Sequence, residues 1–121
     1  MPDNAVVSNA WAPQMLETAI LVLLKQRPSH GYALLAPMQQ LGVEVGDLSR
    51  LYRSLRNLEK DGIVASTWDT SARGRGPARR IYSLTRVGNR HLRQRIKVLR
   101  ANTEVMQRID AEYVDMAGEP T

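Results

Sequence analysis

Apolar residues recur along the chain at two periods, and the changes of period mark its elements. After Pro13, which suits the first turn of a helix, Leu16, Ala19, Ile20, Leu23 and Leu24 follow helical spacing, with Leu21 and Val22 widening the stripe. This predicts an almost all-round apolar helix over 13–26, hence a central core element, stopped by Pro28. Ser29 is placed to cap a second helix, whose buried side is Tyr32, Leu34, Leu35, Met38 and Leu41. Pro37 falls inside that pattern, so the helix is either kinked there or shorter than its pattern suggests. Gly42 ends it by allowing a left-handed residue. Asp47 is a good N-cap for a third helix, with Leu48, Leu51, Tyr52, Leu55 and Leu58 as its apolar stripe and Gly62 closing it.

Beyond Gly62 the period changes. Residues 63–68 and 79–84 read as two strands. The stretch between them is rich in Gly, Ser and Arg, with Gly74, Gly76 and Pro77 as turn formers, so the pair forms a hairpin with a long basic tip. Thr85 can cap a last helix over 87–114, about 40 Å long. Along it Leu92, Ile96, Leu99, Thr103, Met106, Ile109 and Tyr113 alternate near three and four, close to a heptad seam. The preceding domain is too small to cover such a seam, so part of it calls for a partner, most simply a second copy of the same helix. The fold class expected is mostly α with a small β-hairpin: a winged helix-turn-helix followed by a long C-terminal dimerisation helix. The expected divisions are a flexible segment over 1–11, the winged domain over 12–85, the dimerisation helix over 86–116 and a disordered tail over 117–121.

Composition narrows the chemistry. The 121 residues are one domain's worth and 43% are hydrophobic, enough for a core. There is no cysteine, which removes disulfides, thiolate zinc sites and cysteine nucleophiles, and the only two imidazoles, His30 and His91, are far apart in sequence. No paired-carboxylate motif, phosphate-cradling glycine loop or metal set is present, so no enzyme, metal or cofactor is expected. No apolar run nears the roughly 20 residues needed to cross a bilayer, and Met1-Pro2-Asp3-Asn4 carries no basic patch that would read as an export signal. A cytoplasmic protein with no membrane partner is the expectation.

Charge then changes the picture. The net charge is +5, but from Thr70 to Thr103 there is no acid, while ten of the 17 basic residues lie there: Arg73, Arg75, Arg79, Arg80, Arg86, Arg90, Arg93, Arg95, Lys97 and Arg100. Segregated cations create a field that draws polyanions and releases counterions on binding. Three helices followed by a hairpin suit a winged helix-turn-helix. Its third helix would present Ser49, Arg50, Arg53 and Arg56 opposite the leucines, where side chains reach base edges and phosphates of a major groove. Arg73 and Arg75 at the tip would reach the flanking minor groove or backbone, with Arg79 and Arg80 as further phosphate contacts or braces of the wing. A winged-helix module that binds protein rather than DNA is the alternative, and it has no need of ten uncompensated cations. With two-fold symmetry the target would be a pseudo-palindromic stretch of double-stranded DNA.

Four stretches carry a resemblance: Leu16-Glu17-Thr18-Ala19-Ile20-Leu21; Ser29-His30-Gly31-Tyr32-Ala33-Leu34; Leu51-Tyr52-Arg53-Ser54-Leu55-Arg56-Asn57-Leu58-Glu59-Lys60-Asp61-Gly62; and Gly76-Pro77-Ala78-Arg79-Arg80-Ile81-Tyr82-Ser83-Leu84-Thr85-Arg86-Val87-Gly88. The chain resembles the PadR family of bacterial transcriptional regulators, in its short branch. The resemblance implies a homodimer held by the last helix (Leu92, Ile96, Leu99, Met106, Ile109 and Tyr113), a wing that touches DNA, and repression relieved by a small molecule. It assigns Tyr52 either a phosphate or a packing role, and His30 mainly a structural one with a phosphate contact as the alternative. A small aromatic or hydrophobic effector would sit between the first and last helices, lined by Trp11, Met15, Leu99 and Met106; Trp68 is a further aromatic candidate. The sequence departs from the family where its third helix begins. Asp47-Leu48-Ser49-Arg50 replaces Ser-Pro-Gly-Thr, and Arg53 stands where proline is common, so no target sequence carries over.

Overall fold

The computed structural model describes residues 12–69 and 79–118. In chain order they form α1 (Ala12–Gln26), β1 (Ser29–His30), a 3-10 turn (Tyr32–Leu34), α2 (Leu35–Leu41), α3 (Leu48–Lys60), β2 (Val64–Asp69), β3 (Arg79–Leu84) and α4 (Arg86–Ala117). The architecture is the winged helix-turn-helix expected from the pattern, mostly helical, followed by one long helix. The expected fraying of 1–11, the basic wing tip and most of the expected tail lie outside the described residues.

α1 is the central element. Leu16, Ala19, Ile20, Leu21, Leu23 and Leu24 are all buried, and around them close Leu34 and Met38, Leu51, Leu55 and Leu58 of α3, and Val64 and Tyr82 of the sheet. Each buried leucine removes apolar surface worth about 2 kcal/mol from water, so this cluster fixes how α3 and the sheet sit on α1.

The hairpin has an extra neighbour. Ser29 and His30 pair antiparallel with Tyr82 and Ile81, giving a sheet of order β1-β3-β2. Ser29 therefore does not cap a helix; its hydroxyl donates to the Arg27 carbonyl at 3.2 Å. The physical reason is that Pro28 ends α1 in extended backbone beside an edge of β3 whose polar groups need partners. Between β2 and β3 the register runs from Val64 opposite Leu84 to Asp69 opposite Arg79.

Pro37 is accommodated by a change of helix type. The 3-10 turn gives way to α-helix at Leu35, which leaves the proline in the first turn of α2, where a missing N–H costs least. The tighter turn also takes Tyr32 off the buried face: it is 63% exposed, against the expectation, as is Leu41 at 58%. Gly42 ends α2 at φ +85°.

α3 begins as the sequence predicts. Asp47 caps it, its carboxylate accepting from the Arg50 N–H at 3.0 Å and from Ser49 Oγ at 2.6 Å. α4 begins at Thr85, whose Oγ1 accepts from the Gly88 N–H at 2.9 Å and reaches back to the Gly62 carbonyl at 2.7 Å. α4 is 32 residues long. Its first turns pack on α1, where Arg95 donates to Thr18 Oγ1 at 3.3 Å and to the Gln14 carbonyl at 3.1 Å and faces Glu17 at 3.7 Å.

Candidate nucleic-acid interface

α3 separates its residue types cleanly. Leu51, Leu55 and Leu58 are buried, while Ser49, Arg53 and Arg56 are exposed and Arg50 is half-buried beside them. The helical period puts these four within about a third of the circumference, opposite the leucines. The capping contact also sets the electrostatics of this end. The Ser49 hydroxyl first, then the Arg50 N–H, hold the Asp47 carboxyl below its ordinary 3.8. Ser49 is therefore engaged with its own cap, and the free cations of this face are the arginines.

The wing stands next to α3. Between them opens a cleft of about 610 Å³, lined by His30, Tyr32, Tyr52, Trp68, Arg80 and Tyr82 among others. Tyr52 is half-buried and packs so closely on Gly31 that a Cβ there would lie 2.6 Å from its Cε1. It thus both packs and lines the cleft. His30 is turned to the wing, its Nε2 3.1 Å from Asp69 Oδ2. Arg79 is exposed and pairs in register with Asp69. Tyr82 is buried, and burial, then the Glu59 charge, raises its hydroxyl above the ordinary 10.0. Arg73 and Arg75 lie outside the described residues.

Sequence reasoning missed how the wing is tied to α3. Arg80 lies over the Trp68 ring at 4.5 Å, donates to Ser66 Oγ at 2.7 Å, and Ser66 in turn donates to Glu59 at 2.7 Å. Alternation with period two puts Ser66 and Trp68 on one face of β2, but Arg80 joins them only through the register that pairs it with Trp68.

The acid-free stretch is not one patch in space. Arg79 and Arg80 belong to the wing, and Arg95 is turned onto α1. Arg86, Arg90, Arg93, Lys97 and Arg100 are exposed along one flank of α4, at spacings of four and three, and α4 starts at the end of the hairpin away from the tip.

Of the residues expected at an effector site, Met15, Leu99 and Met106 do come together. With Val98, Thr18 and Arg95 they line a groove of about 200 Å³ between α1 and α4. Trp11 lies outside the described residues, and Trp68 is on the wing, away from this groove. Of the expected seam, Leu92 is 7% exposed and spent in the protomer's own core, so it is not free to face a partner. Ile96 is half-buried against that core. Leu99, Met106, Ile109 and Tyr113 are exposed, the last two by 64% and 58%.

Among the described residues no helix is long and apolar enough to cross a membrane, and no group of three or more His, Asp or Glu is placed to hold a metal ion. No protein among those with curated descriptions matches the sequence. Solved structures do. A PadR-like transcription factor from Bacteroides fragilis is 26% identical, with 88% of this chain and 99% of that one covered and a TM-score of 0.70. A PadR family transcription regulator from Clostridium difficile is 21% identical, with 78% and 96% covered and a TM-score of 0.66. Bacillus subtilis PadR, solved in complex with operator DNA, is 26% identical over 66% of this chain and 46% of that one, with a TM-score of 0.58. The sequence model of the transcriptional regulator PadR-like family matches residues 20–94. Those residues run from the middle of α1 through the whole wing into α4, and the chain belongs to the PadR-like family of transcriptional regulators.

Proposed function

We propose that the protein is a homodimeric, sequence-specific DNA-binding repressor whose grip on its operator is relieved by a small apolar or aromatic molecule. The observation that carries the DNA reading is the face of α3, where Arg50, Arg53 and Arg56 stand opposite a buried leucine row and beside the cationic wing. A helix of this diameter enters a major groove, and its N-terminal side chains meet base edges. Arg50 and Arg53 then read bases, Arg56 and Tyr52 meet phosphates, and Arg73, Arg75 and Arg79 of the wing hold the flanking backbone. His30 serves as a brace through Asp69.

Dimerisation uses the outer part of α4. Leu99, Met106, Ile109 and Tyr113, with Met116 80% exposed beyond them, form an apolar strip too long to leave in water. The charges along α4 favour an antiparallel arrangement. Its first half carries six of its seven cations, all but Arg108, and Glu104, Asp110, Glu112 and Asp115 follow in the second. The half-open groove at Met15, Leu99 and Met106 borders that strip, so a ligand there would be closed in by the second copy.

The test is a binding titration of the full chain on labelled DNA from upstream of its own gene, repeated across salt concentrations. Affinity should fall steeply with salt as phosphate contacts release counterions. A flat response would favour a protein-binding module. A reporter driven by the bound fragment should be silenced by the protein and restored by an effector.

A further inference from the structure

A chain of polar contacts runs outward from the end of α3 to the surface of the wing. Glu59 and Ser66 are half-buried; Arg80 and Trp68, at the outer end, are exposed, the indole by 55%. A hydroxyl has one proton to donate and lone pairs to accept with. Ser66 uses both, donating to Glu59 and accepting from Arg80, each at 2.7 Å. The guanidinium is thereby held over the indole, its Cζ 4.5 Å from the ring centroid. Across the cleft stands Tyr32, 63% exposed. Fixing a long arginine side chain costs conformational entropy, and leaving two aromatic rings in water forgoes their burial.

We propose that this cleft seats one strand of the DNA backbone. Arg80 neutralises a phosphate, Trp68 and Tyr32 pack on the sugars beside it, and Glu59, acting through Ser66, is the positioning residue that holds Arg80 in place. The inference rests on the reading of the protein as a DNA binder and adds a site to it. Its walls are the wing on one side and His30, Gly31 and Tyr32 with Tyr52 of α3 on the other, so it opens beside the helix proposed to fill the groove. A backbone strand carries anionic phosphates beside apolar sugar rings, and the lining sets the Arg80 guanidinium beside the rings of Trp68, Tyr32 and Tyr52. The two nearby carboxylates are already engaged, Glu59 by Ser66 and Asp69 by His30. Recognition here is of the backbone, so it is independent of sequence.

The test needs no operator. The chain has two tryptophans, so Trp11→Phe leaves Trp68 as the single emitter. That protein is titrated at low salt with a labelled mixed-sequence duplex of roughly 30 base pairs, long enough for two half-sites. Label anisotropy reports binding and indole emission reports the seat. Trp68 emission should change in step with anisotropy. Arg80→Gln should weaken binding and take about one unit from the slope of log affinity against log salt. Glu59→Ala should weaken binding several-fold with unchanged circular dichroism, and Glu59→Gln, which keeps an acceptor for Ser66, should restore it. Emission that stays constant while anisotropy saturates overturns the seat and leaves the DNA reading standing. A Glu59→Ala protein that binds like its parent overturns the positioning role. Absence of any binding by the parent at low salt removes both.

Discussion

Gly88, in the first turn of α4, lies against the carbonyl of Ile63, so close that a Cβ would stand 2.0 Å from the oxygen. That carbonyl also accepts from the Thr85 N–H at 3.1 Å, so it is held by the backbone and cannot swing aside freely. Gly88→Ala should therefore cost about 3 kcal/mol, at the high end for overpacking, read as a lowered midpoint in urea. Gly31→Ala meets first the side-chain atoms of Tyr52 and Leu55, of which the half-buried Tyr52 ring has room to give. It should cost less stability and show instead as weaker DNA binding through a displaced Tyr52.

Two residues of one apolar seam should behave differently. Leu92 is buried within the protomer, so Leu92→Ala should destabilise the fold by about 2–5 kcal/mol and leave the oligomeric state unchanged. Ile109 is 64% exposed. Ile109→Asp should leave the melting of the winged domain intact and shift sedimentation equilibrium to the monomer.

Arginines on α3 and α4 should separate by what they read. Arg50→Ala should weaken specific binding more than nonspecific binding, by about 1–3 kcal/mol if it contacts a base. Arg93→Ala should change neither, because the start of α4 lies about 17 Å along the hairpin from the wing's outer end. Competition with mixed-sequence DNA measures both.

The cap of α3 gives a pH dependence with a definite sign. The Asp47 carboxyl is held below 3.8 in the folded chain, mainly by the Ser49 hydroxyl. A depressed folded value means the contribution is complete above the unfolded value and is lost as pH falls through the folded one. The protection of the Arg50 amide, its exchange rate relative to the intrinsic rate at the same pH, should thus hold at neutral pH and fall only below the usual carboxylate range. Asp47→Ala should lower that protection at every pH.

The groove between α1 and α4 should admit an apolar ligand. A flat hydrophobic dye is expected to bind the full-length protein, and Met15→Arg, which puts a charge into the apolar lining from the α1 side, should abolish that binding.

Much of the fold was legible because periodicity and caps agree. Asp47 and Thr85 cap the helices they were expected to cap, and the leucines of α3 are buried as their spacing predicts. β1 was not legible: two residues are too few to show a period, and their strand character comes from the edge of β3, 50 residues away in sequence. The burial of Leu92 escaped for a similar reason, since one apolar stripe serves the core at one end of α4 and solvent at the other. For the candidate site, the arginines of α3 could be read from spacing, whereas the grouping of Met15, Leu99 and Met106 came only from the family resemblance. The contacts joining Glu59, Ser66, Arg80 and Trp68 depend on strand register, which no local pattern sets when the loop between the strands is long.

α4 is unbroken from Arg86 to Ala117, about 48 Å of rod, with its root wedged into the winged domain and its outer strip left for a twin. In the proposed dimer the span between the two α3 helices is then governed far from either of them, where the rods cross. A wedge of a few ångströms at that crossing would be magnified by leverage, and the groove period of about 34 Å tolerates little mismatch. Control of the operator would thus be mechanical, a matter of span, with no change required in any residue that touches a base.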